Sequence, residues 1–370
     1  MDSKPNVMFG VEGPNYPWST ILDVAVAAEK VGFDSYWTPD HLVATGVRRW
    51  DALEAWCTLT ALASHTKKIR LATGVSDTYR YHPASLAQKV ATLDAISGGR
   101  AILGIGIGEA MNLVPFCIPY DKPIARTEEA LEIIRGLWSE DSFDYEGKYY
   151  KLQKAFLQPK PSVPISETKF RPTVPIFVAA SSPRTMEMVA KYGDGWLPAN
   201  LPTNEYGEDL EKIRAMAKKF RRNPDVIEPA HFTYVAVGKD RDATRKAVLP
   251  QAKMLLLSRP KIIEKLGFTP PTYDYEMTFK LIFPQNAKAW METAQKLPDE
   301  VVDRSPYIIG TPEDAIEKID EYVKVGCRHF VINFQVSASE LKETSKLFAE
   351  KVIPHFKHKH YSVLGLLFQN

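Results

Sequence analysis

The feature of this sequence that most constrains its fold is a regular alternation of short apolar segments with longer amphipathic ones. The segment "NVMFGVE", residues 6–12, has the length and composition of a buried strand. The next segment, "STILDVAVAAEKVG", places apolar residues three and four positions apart, which predicts a helix that ends at Gly32. The same pair of patterns recurs along most of the chain, roughly eight times in all.

Repeated strand and helix segments predict parallel strands covered by helices, and therefore an α/β fold. About eight repeats match a closed (β/α)8 barrel, the TIM barrel, which takes about 250 residues. Because the chain has 370 residues, we expect a single barrel domain over residues 1–355, with insertions near 140–172 and 240–305 and a C-terminal tail at 356–370. A doubly wound open sheet is the alternative, since apolar parallel strands occur in both folds.

The two expected insertions differ in character. The first contains "SFDYEGKYYKL", which predicts a hairpin that turns at Glu146 and Gly147. The second is rich in Pro and Lys, and we expect it to form helices outside the barrel core.

Composition and charge exclude several classes of partner. Lys and Arg total 47 against 45 Asp and Glu, a net charge of +2, so the sequence carries no broad electrostatic signal for nucleic acid or an anionic membrane. No apolar run approaches the ~20 residues of a membrane span. Three widely spaced cysteines, Cys57, Cys117 and Cys327, argue against a disulfide framework or a metal site, and we expect a protein of the reducing cytoplasm without bound metal.

Functional side chains of a TIM barrel lie at the carboxyl ends of its strands. The second predicted strand ends in Asp40 and His41, and the third runs into residues 74–77. The fourth, "AILGIGIGE", ends in Glu109, and the fifth runs into residues 179–183. These ends combine an acid and histidine pair, small residues, a second acid and the start of a helix.

The end of the fifth strand predicts an anion site. Ser182 is suited to cap a helix that starts at Pro183, and the N-terminus of a helix attracts anions, phosphate above all. The alternative is an ordinary capped helix.

The glycines after the fourth strand do not form a dinucleotide fingerprint, because their spacing is G-x-G-x-G rather than G-x-G-x-x-G. Gly106 and Gly108 would instead let a flat group lie close to the backbone. The alternative is a tight turn between strand and loop.

Seven ordered motifs, spanning about residues 5–355, resemble the bacterial-luciferase-like superfamily, and within it the branch that uses the deazaflavin coenzyme F420. They are "DSYWTPDHL", "TYRYHPASLAQKVATLDAISGGRAILGIGIGE", "KPIARTEEALEIIRGLW", "GKYYKL", "VPIFVAASSP", "GDGWLP" and "GTPEDAIEKIDEYVKVGCRHFVI". The resemblance implies a luciferase-like TIM barrel, a homodimer, and F420 bound at the carboxyl face of the barrel.

The resemblance also implies which residues hold the cofactor. Gly74 and Val75 match a non-prolyl cis peptide that lies against the deazaflavin ring. Asp40 matches a position that contacts the cofactor or orients His41. The remaining matched positions line the ring or its phosphate, and they are Ser76, Gly106, Ile107, Gly108, Asn112, Ala179, Ala180, Ser181, Ser182 and Pro183.

His41 and Glu109 match the positions that face the reacting carbon in relatives that oxidise alcohols or reduce carbonyls. A deazaflavin moves a hydride, so the hydroxyl proton must move separately. An imidazole, with an ordinary pKa near 6.5, suits that role near neutral pH. We therefore predict His41 as general base or acid, and Glu109 as a second proton donor. The alternative is a hydrogen-bonded turn with no catalytic role.

The predicted function is F420-dependent hydride transfer to or from a small organic substrate. The motifs are nearest to ketoreductase and alcohol dehydrogenase-like members, so a secondary alcohol and ketone pair is favoured, with methylene-tetrahydromethanopterin as a second candidate. A sugar phosphate is disfavoured, because Thr45 replaces a Trp of that branch and no Lys or Arg follows "DGWLP" before Lys212. The alternatives are an FMN-dependent monooxygenase of the same superfamily and a non-catalytic barrel that binds a flavin or deazaflavin.

Overall fold

The computed structural model of the protein describes residues 6–43, 51–161, 163–166, 169–171, 173–272, 284–336 and 340–357. The tail from residue 358 onward and Thr45 lie outside these residues. The strands are β1 (Met8–Glu12), β2 (Ser35–Thr38), β3 (Arg70–Thr73), β4 (Ala101–Ile105), β5 (Phe143–Glu146), β6 (Lys151–Ala155), β7 (Val163–Ser166), β8 (Lys169–Arg171), β9 (Ile176–Val178), β10 (Gly195–Trp196), β11 (Glu228–Val237), β12 (Ile308–Gly310) and β13 (His329–Phe334).

Helices follow most of these strands. They are α1 (Trp18–Val31), α2 (Ala55–His65), α3 (Pro83–Ser97), α4 (Pro123–Ser139), α5 (Pro183–Tyr192), α6 (Thr203–Lys219), α7 (Arg241–Leu257), α8 (Pro260–Lys265), α9 (Pro284–Ala294), α10 (Glu300–Asp303), α11 (Pro312–Lys324), α12 (Leu341–Lys351) and α13 (Ile353–Phe356).

Eight parallel strands close into a barrel, which confirms the predicted TIM barrel. The order is β1, β2, β3, β4, β9, β10, β11, β13, and β13 pairs in turn with β1. The pairing of β10 with both β9 and β11 completes the ring. The open-sheet alternative is therefore wrong, because an open sheet would leave two edge strands in this set.

The sequence explains where the first helix stops. Gly32 adopts a left-handed conformation, φ 97°, and its amide donates to the carbonyls of Ala28 and Glu29. Glycine reaches this conformation without steric cost, which makes it the usual residue after a helix. The predicted end of α1 is confirmed.

The first insertion consists of two antiparallel hairpins, β5–β6 and β7–β8. The predicted turn position is wrong, because Glu146 is still paired, with Lys151, and the turn covers residues 147–150. A side chain of α4 explains the longer turn: the Glu129 carboxylate accepts hydrogen bonds from the backbone amides of residues 148, 149 and 150.

The second insertion forms helices α7 to α10, which we call the cap. The cap has a small apolar core of its own, which includes Leu256, Ile263 and Trp290, separate from the core between barrel and helices. Tyr234 and Ile309, from β11 and β12, pack against it and join it to the carboxyl end of the barrel. The short strand β12, which extends the sheet beside the end of β11, was not predicted.

Candidate active site

The mouth of the barrel has two unlike sides. Alternate residues of each strand point into the barrel, and the interior cluster around Trp37 and Phe177 fixes which residues these are. Continued to the strand ends, the alternation brings small residues to one side and polar residues to the other. The small residues are Gly74, Gly106 and Ala179, after β3, β4 and β9, and the polar ones are Glu12, Tyr234 and Asn333, on β1, β11 and β13.

We call the small side of the mouth the shelf, because its residues Gly74, Gly106 and Ala179 carry no side-chain atom beyond Cβ. A Cβ atom on Gly106 would lie 2.7 Å from Cγ2 of Val75, so the close approach of these two segments requires glycine. The peptide bond between Gly74 and Val75 is cis, which confirms that prediction. Ser76 follows in a bridge to Ile105 of the neighbouring strand.

The two predicted catalytic side chains lie together beside the shelf. Nε2 of His41 is 3.4 Å from Oε2 of Glu109. The Glu109 side chain is 51% exposed and that of His41 is 19% exposed. Nδ1 of His41 is buried and has no hydrogen-bond partner within the described residues. This pair can hold a proton and pass it to a bound molecule.

Asn112 connects the two loops that carry this pair. Its Oδ1 accepts hydrogen bonds from the amides of Leu42, at 2.8 Å, and Val43, at 3.4 Å. Its Nδ2 donates to Oε2 of Glu109 at 3.3 Å. The sequence predicted Asn112 as a residue that lines the cofactor, whereas in the structure its side chain is buried and holds the His41 loop against Glu109.

Asp40 belongs to a buried ionic network rather than to the imidazole of His41. Its Oδ2 accepts from the hydroxyl of Ser76 at 2.5 Å and its Oδ1 from Nη1 of Arg80 at 2.9 Å. Arg80 also binds Asp77 at 2.6 Å. Burial raises the pKa of Asp40, and the charge of Arg80 and the Ser76 hydroxyl oppose that rise. Within the described residues Asp40 makes no hydrogen bond with His41.

The helix start after β9 is capped as the sequence predicts. Ser182 and Thr185 form a capping box, with Pro183 at the first turn of α5. The amides of Ser181 and Ser182 donate to the hydroxyl of Thr185. The N-terminus of α5 carries the positive end of the helix dipole, which favours an anion nearby. The amides of Ser181 and Ser182, however, already donate their hydrogen bonds within the capping box.

Three predicted residues point away from the shelf or act through their backbone. The side chain of Ile107 packs against the core between barrel and helices. Ala180 is buried in that core and its carbonyl accepts from the indole of Trp196. Gly108 has φ 80°, and its carbonyl accepts from the hydroxyl of Tyr120.

Glu12 is a site residue that the sequence reasoning missed. It is buried at the mouth, and Nδ2 of Asn333 donates to its Oε2. Burial raises the pKa of Glu12 to about 8, the Asn333 hydrogen bond opposes the rise, and nearby Glu109 adds to it. The mouth therefore holds a carboxyl group that keeps its proton at neutral pH. The sequence contained a signal for Glu12, because the apolar segment "NVMFGVE" ends in this acid just as "AILGIGIGE" ends in Glu109.

Within the described ranges no three or more His, Cys, Asp or Glu side chains come together as a metal site. Among the same residues, no helix is both long and apolar enough to cross a membrane.

Comparison with known proteins identifies the family. The family model for luciferase-like monooxygenases matches residues 6–329. The chain therefore belongs to this family of TIM-barrel enzymes, as the sequence motifs predicted.

Individual relatives are similar over nearly the whole chain. A 5,10-methylenetetrahydromethanopterin reductase of Archaeoglobus fulgidus is 30% identical over 352 residues, which cover 94% of this chain and 99% of the relative. A phthiodiolone/phenolphthiodiolone dimycocerosates ketoreductase of Mycobacterium bovis is 31% identical over 357 residues, covering 90% and 91%. Among solved structures, an F420-dependent secondary alcohol dehydrogenase in complex with an F420-acetone adduct has a TM-score of 0.78 and 26% identity, covering 95% of this chain and 100% of that chain.

Proposed function

We propose that the protein is an F420-dependent oxidoreductase that transfers a hydride between the deazaflavin and a secondary alcohol and ketone pair. The observation that carries the proposal is the glycine and alanine shelf, which lies beside the His41 and Glu109 pair. The shelf suits a flat ring, and the pair supplies the proton that a hydride transfer requires. The similarity to an F420-dependent secondary alcohol dehydrogenase supports the choice of both cofactor and substrate.

The residues at the mouth fit a deazaflavin. Gly74, Gly106 and Ala179 carry no side-chain atom beyond Cβ, so a flat ring can approach the backbone there. The positive end of α5 suits the phosphate of the cofactor. When bound, a deazaflavin supplies or accepts a hydride.

The chain itself moves the proton. Nε2 of His41 takes the hydroxyl proton of an alcohol, or donates it to the carbonyl oxygen of a ketone in the reverse direction. Glu109, 3.4 Å away, stabilises the imidazolium that forms. Asn112 holds the loop of His41 in place, so the imidazole meets its substrate with little reorganisation. Glu12 keeps its proton across the neutral range and offers a hydrogen-bond donor to a substrate oxygen.

Two other functions are each favoured by a specific similarity. Reduction of methylene-tetrahydromethanopterin is favoured by the similarity to the Archaeoglobus fulgidus reductase. An FMN-dependent monooxygenase is favoured by the description of the family as luciferase-like monooxygenases. The shelf would accept either ring, so cofactor binding is the property that separates the FMN candidate from the proposal.

The test is a titration of the purified protein with oxidised F420 and, separately, with FMN, followed by fluorescence quenching. We expect F420 to bind at least tenfold more tightly. The loaded enzyme is then assayed with 2-propanol and acetone. We expect H41N to lower kcat by about 100-fold or more while the Kd for F420 changes little, and H65N, at the exposed end of α2, to behave as the native protein.

Three results would contradict the proposal. Tighter binding of FMN would assign the protein to oxygen chemistry. Tight F420 binding without turnover of any alcohol, ketone or methylene-tetrahydromethanopterin would identify a non-catalytic barrel. Native activity in H41N would remove His41 from the reaction.

A further inference from the structure

Between the cap and strands β10 and β11 lie three side chains, Arg259, Asn200 and Tyr307, whose hydrogen-bond donors the described residues satisfy only in part. Arg259, at the start of α8, donates from Nη1 to the carbonyl of Ala199 at 2.7 Å. Among the described residues no carboxylate lies within ion-pair distance of its guanidinium. Of the five N–H donors of a guanidinium, those on Nη1 alone make a hydrogen bond with another of the described residues.

Two neutral donors accompany Arg259. Asn200 is fully buried and follows Ala199, and its Oδ1 accepts from the amide of Tyr234 at 3.1 Å. That bond fixes the orientation of the side-chain amide, so Nδ2 is a buried donor without a partner in the described residues. The hydroxyl of Tyr307 is also buried and unpartnered there, and its ring lies 5.2 Å from that of Tyr234.

Tyr234, a neighbour of both Asn200 and Tyr307, belongs to the polar side of the barrel mouth. Tyr234 occupies an inward position of β11 and is in register with Asn333, which binds Glu12. Burial raises the pKa of Tyr234 to about 12, and the positive charge of Arg259 opposes that rise, as expected for a guanidinium close to the phenol. The two acids of the mouth are engaged elsewhere, Glu12 with Asn333 and Glu109 with His41 and Asn112.

A structural role explains only part of this arrangement. The bond from Arg259 to Ala199 joins the cap to the barrel, but it uses one donor, and Nδ2 of Asn200 and the hydroxyl of Tyr307 have no partner in the part of the chain that the structure describes. Buried donors without acceptors are costly. A guanidinium, an amide N–H and a phenol together complement the oxygen atoms of a carboxylate or a phosphate.

We propose that the substrate carries an anionic oxygen group, a carboxylate or a phosphate, and that Arg259, Asn200 and Tyr307 bind it between the cap and the mouth. The opposite end of the same molecule, its alcohol or carbonyl group, then lies toward His41. This inference rests on the proposed function and narrows it to hydroxy or oxo acids and their phosphate counterparts.

The test compares two ketones that differ chiefly in charge, 4-oxopentanoate and the neutral 2-pentanone, with reduced F420 as the hydride donor. Hydroxyacetone phosphate provides the phosphate arm. For the native protein we expect kcat/KM for one of the anions to exceed that for 2-pentanone by at least tenfold. We expect R259M to reduce this ratio by at least tenfold, mainly through KM, and R259K to restore part of it. The control is R245M, because Arg245 is a cap arginine already paired with Asp303 at 2.6 Å.

A second measurement needs neither turnover nor F420. Binding of 4-oxopentanoate and of inorganic phosphate to the cofactor-free protein is followed by calorimetry, with R259M and Y307F expected to weaken it at least fivefold. Y307F removes only a hydroxyl, so it serves if R259M does not fold. Equal ratios and equal anion binding in native protein, R259M and Y307F would overturn the subsite. Failure to bind F420 would overturn the proposed function, while the calorimetry would still decide whether the anion subsite exists.

Discussion

At the scale of single residues, a third side chain, that of Asn112, joins the loops of the candidate catalytic pair. Asn112 accepts from the backbone of the His41 loop and donates to Glu109. Both bonds come from one planar amide, so the position of His41 relative to Glu109 is set by a rigid group. Small displacements of a proton-transfer group lower rates strongly.

We therefore expect N112A to lower kcat by about 10 to 100-fold with little change in the Kd for F420. N112D keeps the acceptor for the amides of Leu42 and Val43 but places a negative charge beside Glu109, so it should shift the pH profile of kcat as well as its height. The matched control is N223A, since Asn223 caps a short turn after α6. A large loss of F420 binding in N112A, with kcat unchanged, would assign Asn112 to the cofactor instead.

The sequence predicted some of these residues and not others, for a physical reason. His41 and Glu109 follow strands, and strand ends converge in a barrel, so their proximity was predictable. The roles of Asn112 and Asp40 depend on which neighbour each side chain meets, and periodicity does not contain that information. Arg259 comes from the cap, about 60 residues beyond the loop that it contacts, so the lack of Lys or Arg directly after "DGWLP" did not mean that no cation reaches this loop.

At the scale of elements, Arg80 fastens the loop after β2 to the loop after β3. Its guanidinium binds the carboxylates of Asp40 and Asp77, and all three side chains are at most 7% exposed. The same network holds Ser76, next to the shelf. Two buried carboxylates thus share one cation, and its removal leaves Asp40 and Asp77 with hydrogen bonds but with no positive charge beside them among the described residues.

We expect R80M to lower the free energy of unfolding by about 3 to 5 kcal/mol and to weaken F420 binding, because the shelf loses its support. Urea unfolding and the F420 titration measure the two effects. R214M, which breaks an exposed pair with Glu211 on α6, should change stability by less than about 1 kcal/mol. Equal stabilities of the two variants would show that the network contributes nothing net.

The elements themselves were largely predictable. Barrel strands and helices have periodic apolar patterns and clear ends, as at Gly32 and Ser182. The turn at residues 147–150 was not predictable, because Glu129, on the separate helix α4, determines its length. Strand β12 has three residues, too few for a period to show.

At the scale of the whole molecule, Glu12 links the chemistry of the mouth to the stability of the fold. In the unfolded chain this carboxyl has an ordinary pKa of 4.5, and in the folded protein burial raises its pKa to about 8. Below pH 4.5 both states hold the proton, and Glu12 adds no pH dependence. Between pH 4.5 and 8 the unfolded chain releases the proton and the folded protein keeps it, so stability falls as the pH rises. Above pH 8 the decline ends.

Glu12→Gln removes this titration while preserving an acceptor for Asn333. We expect the free energies of unfolding of E12Q and the native protein to differ little at pH 4.5. As the pH rises, the stability of E12Q relative to the native protein should increase until pH 8 to 9, by at most about 5 kcal/mol. Urea unfolding at pH 5, 7 and 9 measures the difference. E211Q, on the exposed face of α6, is measured at the same pH values as the control for replacement of a carboxyl group by an amide. A constant difference between E12Q and the native protein at every pH would mean that Glu12 ionises normally, and it would then be unable to serve as a proton donor at neutral pH.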